Sequence, residues 1–279
     1  MEDSYPKKNK SVSSNNFVPA IYKAYRILEL IAQSKNGWMG ITEISKALNY
    51  SKSTIHSILN TLTNLDYAER DPETKKFGLG IRHYELGNSY RNRTKFTDNF
   101  SYIARRILNE CDETVFLAIL NGTDIIYMAK EESSQPLRMA ERVGARLPAH
   151  ITALGKCLLS AIPDDEIDKL YKKYMFIKAT ANSIDNLQDL KRELEMVRKQ
   201  GFATDNRETN IDVDCVGAPI INDRDQVVAA ISIALPHLRM KSDHKDKLIK
   251  LIKENAKDFS KRLGNLDHSE QTNSFKEIP

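Results

Sequence analysis

The chain has 279 residues, 41% hydrophobic and 29% charged, with a formal net charge of +4. That length suits two ordinary domains, and without an 18-residue apolar run or an apolar N-terminal segment neither a membrane span nor a signal peptide is expected. Cys111, Cys157 and Cys215 are odd in number, widely spaced and set in apolar surroundings. They read as reduced, buried thiols of a cytoplasmic protein, with no metal site and no cofactor motif. Charge is spread unevenly: residues 1–95 hold 15 Lys and Arg against 9 Asp and Glu, and the remainder holds 27 against 29. A basic front half joined to a near-neutral back half points to a polyanion contact in front and another task behind.

Residues 1–17 are polar and expected to be a disordered tail. Pro19 then opens a helical pattern through Ala24, Ile27, Leu28 and Ile31, ended by KNG at 35–37. TEISKALN reads as a second short helix, with Thr42 as its expected N-cap and Ile44, Ala47 and Leu48 facing inward. A tight connection leads to SKSTIHSILNTL, where Ile55, Ile58, Leu59 and Leu62 recur at helical spacing. Two short amphipathic helices so closely joined read as a helix-turn-helix. The extended pieces Tyr67–Arg70 and Lys75–Leu79 flank DPET and predict a hairpin, which makes the arrangement winged.

This front domain assigns a DNA-binding set. Lys52, Ser53, Thr54, His56, Ser57 and Asn60 lie on the polar face of the second helix, and Ser53, Thr54, His56 and Ser57 sit toward its start, where base edges can be reached. Lys75 and Lys76 of the wing would neutralise phosphates, and Ser51 as N-cap would leave amides near the helix start for a phosphate oxygen. The plainer alternative is a solvated helix followed by a solvated hairpin.

GNSYRNRTKFTDNFSYIARRILNECDE reads as a polar, basic linker helix followed by the first helix of a second domain. TVFLAIL and DIIYMAK flank an Asn-Gly turn, a strong hairpin signal. LRMAERVGARLP adds extended segments, and DVDCVGAPII and QVVAAISIAL flank DRD as a second antiparallel pair. Helices fit 153–161, 165–173, 186–200 and 239–262, giving an α/β domain with an antiparallel-leaning sheet. Thr152 is a good N-cap, and the small residues after it would leave amides open to a carboxylate.

Several of these stretches together resemble the IclR-type bacterial transcriptional regulators: ITEISKALNYSKSTIHSILNTL, YAERDPETKKFGLG, ETVFLAILNG, PLRMAERVGARLPAHITALGKCLL, GFATDNRE and CVGAPIIN. The resemblance runs over roughly residues 18–262, in the family's order. It implies a winged helix-turn-helix at 18–82, a linker helix at 83–97, a GAF-like effector-binding domain with a mixed, largely antiparallel sheet at 98–263, and a polar tail at 264–279. It also implies homodimers or dimers of dimers on palindromic double-stranded operators, in repression of catabolic genes. Carried across by motif, the effector pocket would hold Ala153, Leu154, Asp205, Val213, Cys215, Ser232 and Ala234. Asp212 and Asp214 depart from the family's pattern by adding negative charge near the rim. An organic acid, a sugar-like metabolite or a cation therefore all stay open as the effector.

The leading reading is a DNA-binding regulator whose operator affinity is set by a small metabolite. A regulator that dimerises through a domain without an effector is the alternative. An enzyme is disfavoured: His150, Cys157 and Asp205 suggest a triad only on paper, and no Walker loop, HExxH run or nucleophile elbow occurs.

Overall fold

The computed structural model describes residues 18–94, 96–137 and 139–265. The expected tail at 1–17, and all but the first two residues of the tail at 264–279, lie outside the described residues. The chain divides into two compact units between Thr94 and Lys95.

The first unit runs α1 (Pro19–Gln33), α2 (Ile41–Leu48), α3 (Lys52–Asn64), β1 (Ala68–Arg70), β2 (Phe77–Leu79) and α4 (Arg82–Thr94). Pro19 sits at the first helical position, where a missing amide proton costs nothing. Ile27 and Ile31 from α1, Ile44 from α2, Ile55 and Leu59 from α3, and Phe77 from β2 form one apolar core. Each buried aliphatic side chain contributes roughly 1.5–3 kcal/mol. The predicted N-cap of α2 is corrected: Gly40 caps the helix, and Thr42 lies within its first turn. The Glu43 carboxylate accepts the Gly40 N–H at 2.6 Å, so an acid one turn in does the work assigned to a hydroxyl. Asn49 adopts the left-handed conformation (φ 55°) that allows so short a turn before α3.

β1 and β2 are antiparallel and shorter than predicted. Asp71 accepts hydrogen bonds from the Glu73 amide and from both the amide and hydroxyl of Thr74. That side-chain-closed turn takes up Lys75 and Lys76, which the sequence reading placed in the strand.

The second unit holds α5 (Phe96–Cys111), β3 (Thr114–Asn121), β4 (Asp124–Glu131), β5 (Arg146–Pro148), α6 (Ala153–Leu159), α7 (Asp164–Tyr171), α8 (Leu187–Gln200), β6 (Ala203–Asn206), β7 (Val213–Ile221), β8 (Val227–Pro236) and α9 (Ser242–Arg262). Six strands form one sheet in the order β5-β4-β3-β8-β7-β6. Every pairing is antiparallel, so the largely antiparallel expectation holds and no parallel pair joins it among the described residues. Val115, Leu117, Val216, Ile231 and Ile233 pack with α5 and α9 on one face. Phe116, Ala118, Ala230 and Ala234 pack with α6, α7 and α8 on the other. Full burial on both faces explains why β8 reads as a continuous apolar run.

Two predictions along this unit need correction. Among the described residues of the segment at 137–148 only Arg146–Pro148 is a strand, because β5 pairs with β4 only at Asp124–Ile126. Residues 203–206, not predicted as a strand, form the edge strand β6 against β7; four residues with polar members give too short a period to detect.

Candidate functional site

The polar face of α3 is built as the periodicity requires. Ile55 and Leu59 are fully buried, while Lys52, Ser53, His56, Ser57 and Asn60 are exposed and Thr54 is half-buried. Ser51 Oγ accepts the Thr54 N–H at 3.2 Å and lies 3.0 Å from Ser53 Oγ and 2.8 Å from Thr54 Oγ1. Three hydroxyls therefore cluster at the helix start, where the dipole is positive. One turn on, Asn60 Nδ2 and His56 Nδ1 are 3.4 Å apart. The helix contains no acidic residue.

The wing is less freely cationic than its sequence. Lys75 holds a left-handed backbone (φ 59°), and its ammonium donates to the Pro72 carbonyl. Lys76 Nζ is 3.5 Å from Glu43 Oε1. Both contacts are at the surface, where such pairings contribute little to stability.

In the second unit the seven predicted pocket residues come from four segments distant in sequence, and all of them line one cavity. Strand register explains much of the convergence. Asp205 pairs with Cys215, and Cys215 pairs with Ala234, so the three form one cross-strand row. Gly217 opposite Ser232 lies on the same face, and so does Val213. Ala153 and Leu154 close the space from the start of α6. That approach depends on two glycines: a Cβ on Gly155 would sit 2.1 Å from the Ala149 carbonyl oxygen, and one on Gly217 would sit 3.3 Å from the Ala153 backbone. The cavity volume is about 20 Å³. As it stands it has room for little more than a water.

Phe116, Tyr127, Met139, Glu141, Leu147, Thr152 and Thr209 also line it and were missed. Phe116 was within reach of the sequence, since it pairs with Ser232 across β3 and β8. Glu141 lies in the irregular segment after β4, where no periodicity operates. The two rim acids behave differently from expectation. Asp214 turns to the other face of β7, where its carboxylate meets His237 Nδ1 at 2.5 Å, and Asp212 is exposed. Neither lines the cavity.

Asp205 is the polar centre. Burial pushes its carboxyl up to about 7, against hydrogen bonds from the Thr209 hydroxyl and the Glu208 amide that pull it down. Glu208 Oε1 in turn accepts from Lys156 Nζ at 2.6 Å, and Glu193 Oε1 accepts from the same ammonium at 3.1 Å. Lys156 is 1% exposed. Burial alone would lower its pKa, and the two carboxylates outweigh that and raise it. The predicted open amides at the start of α6 are partly corrected: Thr152 Oγ1 accepts the Gly155 N–H at 2.9 Å.

The nominal triad does not assemble. His150 Nε2 is 3.2 Å from the Ile177 carbonyl oxygen, and the ring packs against Tyr171, Tyr174 and Phe176. Burial lowers this histidine to about 4 and pushes the Cys157 thiol up to about 12, so the latter is no nucleophile. Among the described residues no group of His, Cys, Asp and Glu is arranged to hold a metal, and no helix is long and apolar enough to cross a membrane.

Comparison with known proteins matches both units of the chain to one family. The profile of the bacterial transcriptional regulator IclR C-terminal domain matches residues 89–261, and that of the IclR helix-turn-helix domain matches residues 20–72. The chain is 29% identical over 251 residues to the HTH-type transcriptional regulator KdgR of Dickeya chrysanthemi, covering 90% of this chain and 82% of that one. It is 28% identical over 245 residues to the HTH-type transcriptional repressor AllR of Salmonella typhimurium, covering 88% and 90%. The crystal structure of the Thermotoga maritima IclR superposes with a TM-score of 0.73 at 30% identity, covering 88% of this chain and 98% of that one. The chain belongs to the IclR family of DNA-binding bacterial transcriptional regulators and is not an enzyme.

Proposed function

We propose that this regulator binds a palindromic operator as a dimer or dimer of dimers, and that a small molecule in the second unit's cavity changes its operator affinity. Ser53, Thr54, His56, Ser57 and Asn60 read base edges in the major groove, while Lys52, Lys75 and Lys76 meet phosphates. Ser51 presets the helix start, and the Lys52 and Ser53 amides are left to a phosphate oxygen. Residues 18–82 form the DNA-reading part, 83–97 the connection, and 98–263 the sensor. The observation that carries the reading is the convergence of Ala153, Leu154, Asp205, Val213, Cys215, Ser232 and Ala234 on one mostly apolar cavity with a few polar groups, the usual make-up of a ligand site. Repression of catabolic genes is the direction of control we infer, supported by the repressor named among the relatives. Occupancy selects one of two dimer geometries, and half-site spacing converts that choice into affinity.

The test is selection of operators from a randomised duplex library, followed by anisotropy titrations. The double variant Ser53→Ala with Thr54→Ala relaxes the selected sequence while keeping affinity for random DNA. An unaltered preference refutes base readout by this helix.

A further inference from the structure

The polar lining of the cavity is of one sign. Glu141 lines the space, and its Oε2 is shielded from solvent and has no hydrogen-bond partner. Asp205 contributes a second carboxyl, 1% exposed. No Lys, Arg or His occurs among the described residues lining the space. Three nearby cations are engaged elsewhere: Lys156 with Glu208 and Glu193, Lys130 with the Met139 carbonyl and Glu132, and Arg239 with Glu113. A carboxylate ligand would bring one more negative charge into a desolvated space without a cation to meet it. An ammonium would supply the donor and the charge that Glu141 Oε2 lacks.

We propose that the ligand is a small organic cation, with its charged nitrogen held between Glu141 and Asp205 and its apolar body against Phe116, Leu154 and Val213. This rests on the cavity being the effector site, as proposed above, and narrows the chemistry that site accepts. Entry requires the space to widen from its present size.

Titration separates the cases. Asp205 is faced by Glu208 and Thr209 of its own segment, Lys156 of α6, Cys215 of β7 and Tyr127 of β4, and Glu141 acts on the same Tyr127 and Cys215. Burial raises the Tyr127 phenol and the Cys215 thiol well above their ordinary values, with both carboxylates adding to the effect. Neither therefore titrates near neutrality, whereas Asp205 does so at about 7. A cation selects the ionised form, so its affinity rises about tenfold from pH 6 to pH 8. An anion shows the reverse.

The experiment uses the full-length protein, calorimetric titration and thermal unfolding, with two matched sets: n-butylamine, n-butanol and butyrate, and benzylamine, benzyl alcohol and benzoate. The expected result is binding and stabilisation by the amines, stronger at pH 8, and weakened about tenfold or more in Glu141→Gln. Ala234→Met, which fills the cavity, abolishes it. Carboxylates that bind in preference to amines, more tightly at pH 6 and not to Ala234→Met, overturn the cation assignment and leave the effector site standing. Silence from all six compounds overturns the assignment and the effector reading together.

Discussion

Replacing Lys156 by Met tests the energetics beneath the cavity. Met matches the aliphatic stem, so packing is nearly kept, but Glu208 (6% exposed) loses its 2.6 Å partner, and Glu208 Oε2 already has none. Breaking a buried pair by removing one member costs about 3–5 kcal/mol. For a unit of this size that corresponds to a fall of roughly 6–20 °C in its unfolding temperature. Burial already raises the Glu208 carboxyl in the native protein, and without Lys156 it rises further. A raised acid stabilises the fold while protonated and loses that contribution as pH rises through its folded value. The deficit of Lys156→Met is therefore smaller at pH 5 than at pH 8. Adding Glu208→Gln recovers at least about half of the loss, because the orphaned charge is gone. Scanning calorimetry of the three proteins at both pH values decides the matter. A single variant within about 1 kcal/mol of wild type, with no pH dependence, would refute the reasoning.

Three further outcomes follow from the same structure. Ser51→Ala removes the hydroxyl that accepts the Thr54 amide and lowers the stability of the DNA-binding unit by about 1 kcal/mol in chemical denaturation. Lys75→Gly keeps or improves folding, because Gly accepts φ 59° without strain, yet it reduces the slope of log affinity against log salt by about one in anisotropy titrations. An unchanged slope would remove Lys75 from the phosphate contacts. Asp205 binds its proton more tightly in the folded state, so its contribution to stability declines as pH rises from the unfolded value of 3.8 toward about 7. Between pH 5 and pH 8 the wild type should lose roughly 2–3 kcal/mol relative to Asp205→Asn, measured by urea denaturation.

What the sequence made legible follows from period and turn chemistry. The apolar spacing of Ile55, Leu59 and Leu62 set the buried face of α3, and Asn121-Gly122 announced the β3–β4 hairpin. The cavity residues on β7 and β8 came from the family resemblance, carried across by motif, and the strand register puts Val213, Cys215, Ser232 and Ala234 on one face. Glu141 escaped because it sits in irregular chain whose path is set by distant anchors. Lys130 donates to the Met139 carbonyl, and Arg239 donates to that of Leu137. The Lys156 network escaped for a related reason: its partners are 37 and 52 residues away, and a lysine in a short amphipathic stretch reads as exposed. Asp214 was misjudged because its charge was legible and its direction was not. One step along β7 from Cys215 takes it to the opposite face.

The missing side chain at Gly155 bears on how the sensor breathes. With backbone pressed on backbone at Ala149, and again at Gly217, the start of α6 has no slack and behaves as a fixed jaw. The 137–145 stretch opposite is moored by the Lys130 and Arg239 side chains reaching carbonyl oxygens, moorings that slip without breaking a sheet. A guest pushing into the space would therefore displace this stretch before the helix, and Glu141, whose carboxylate lines the space, would move with it.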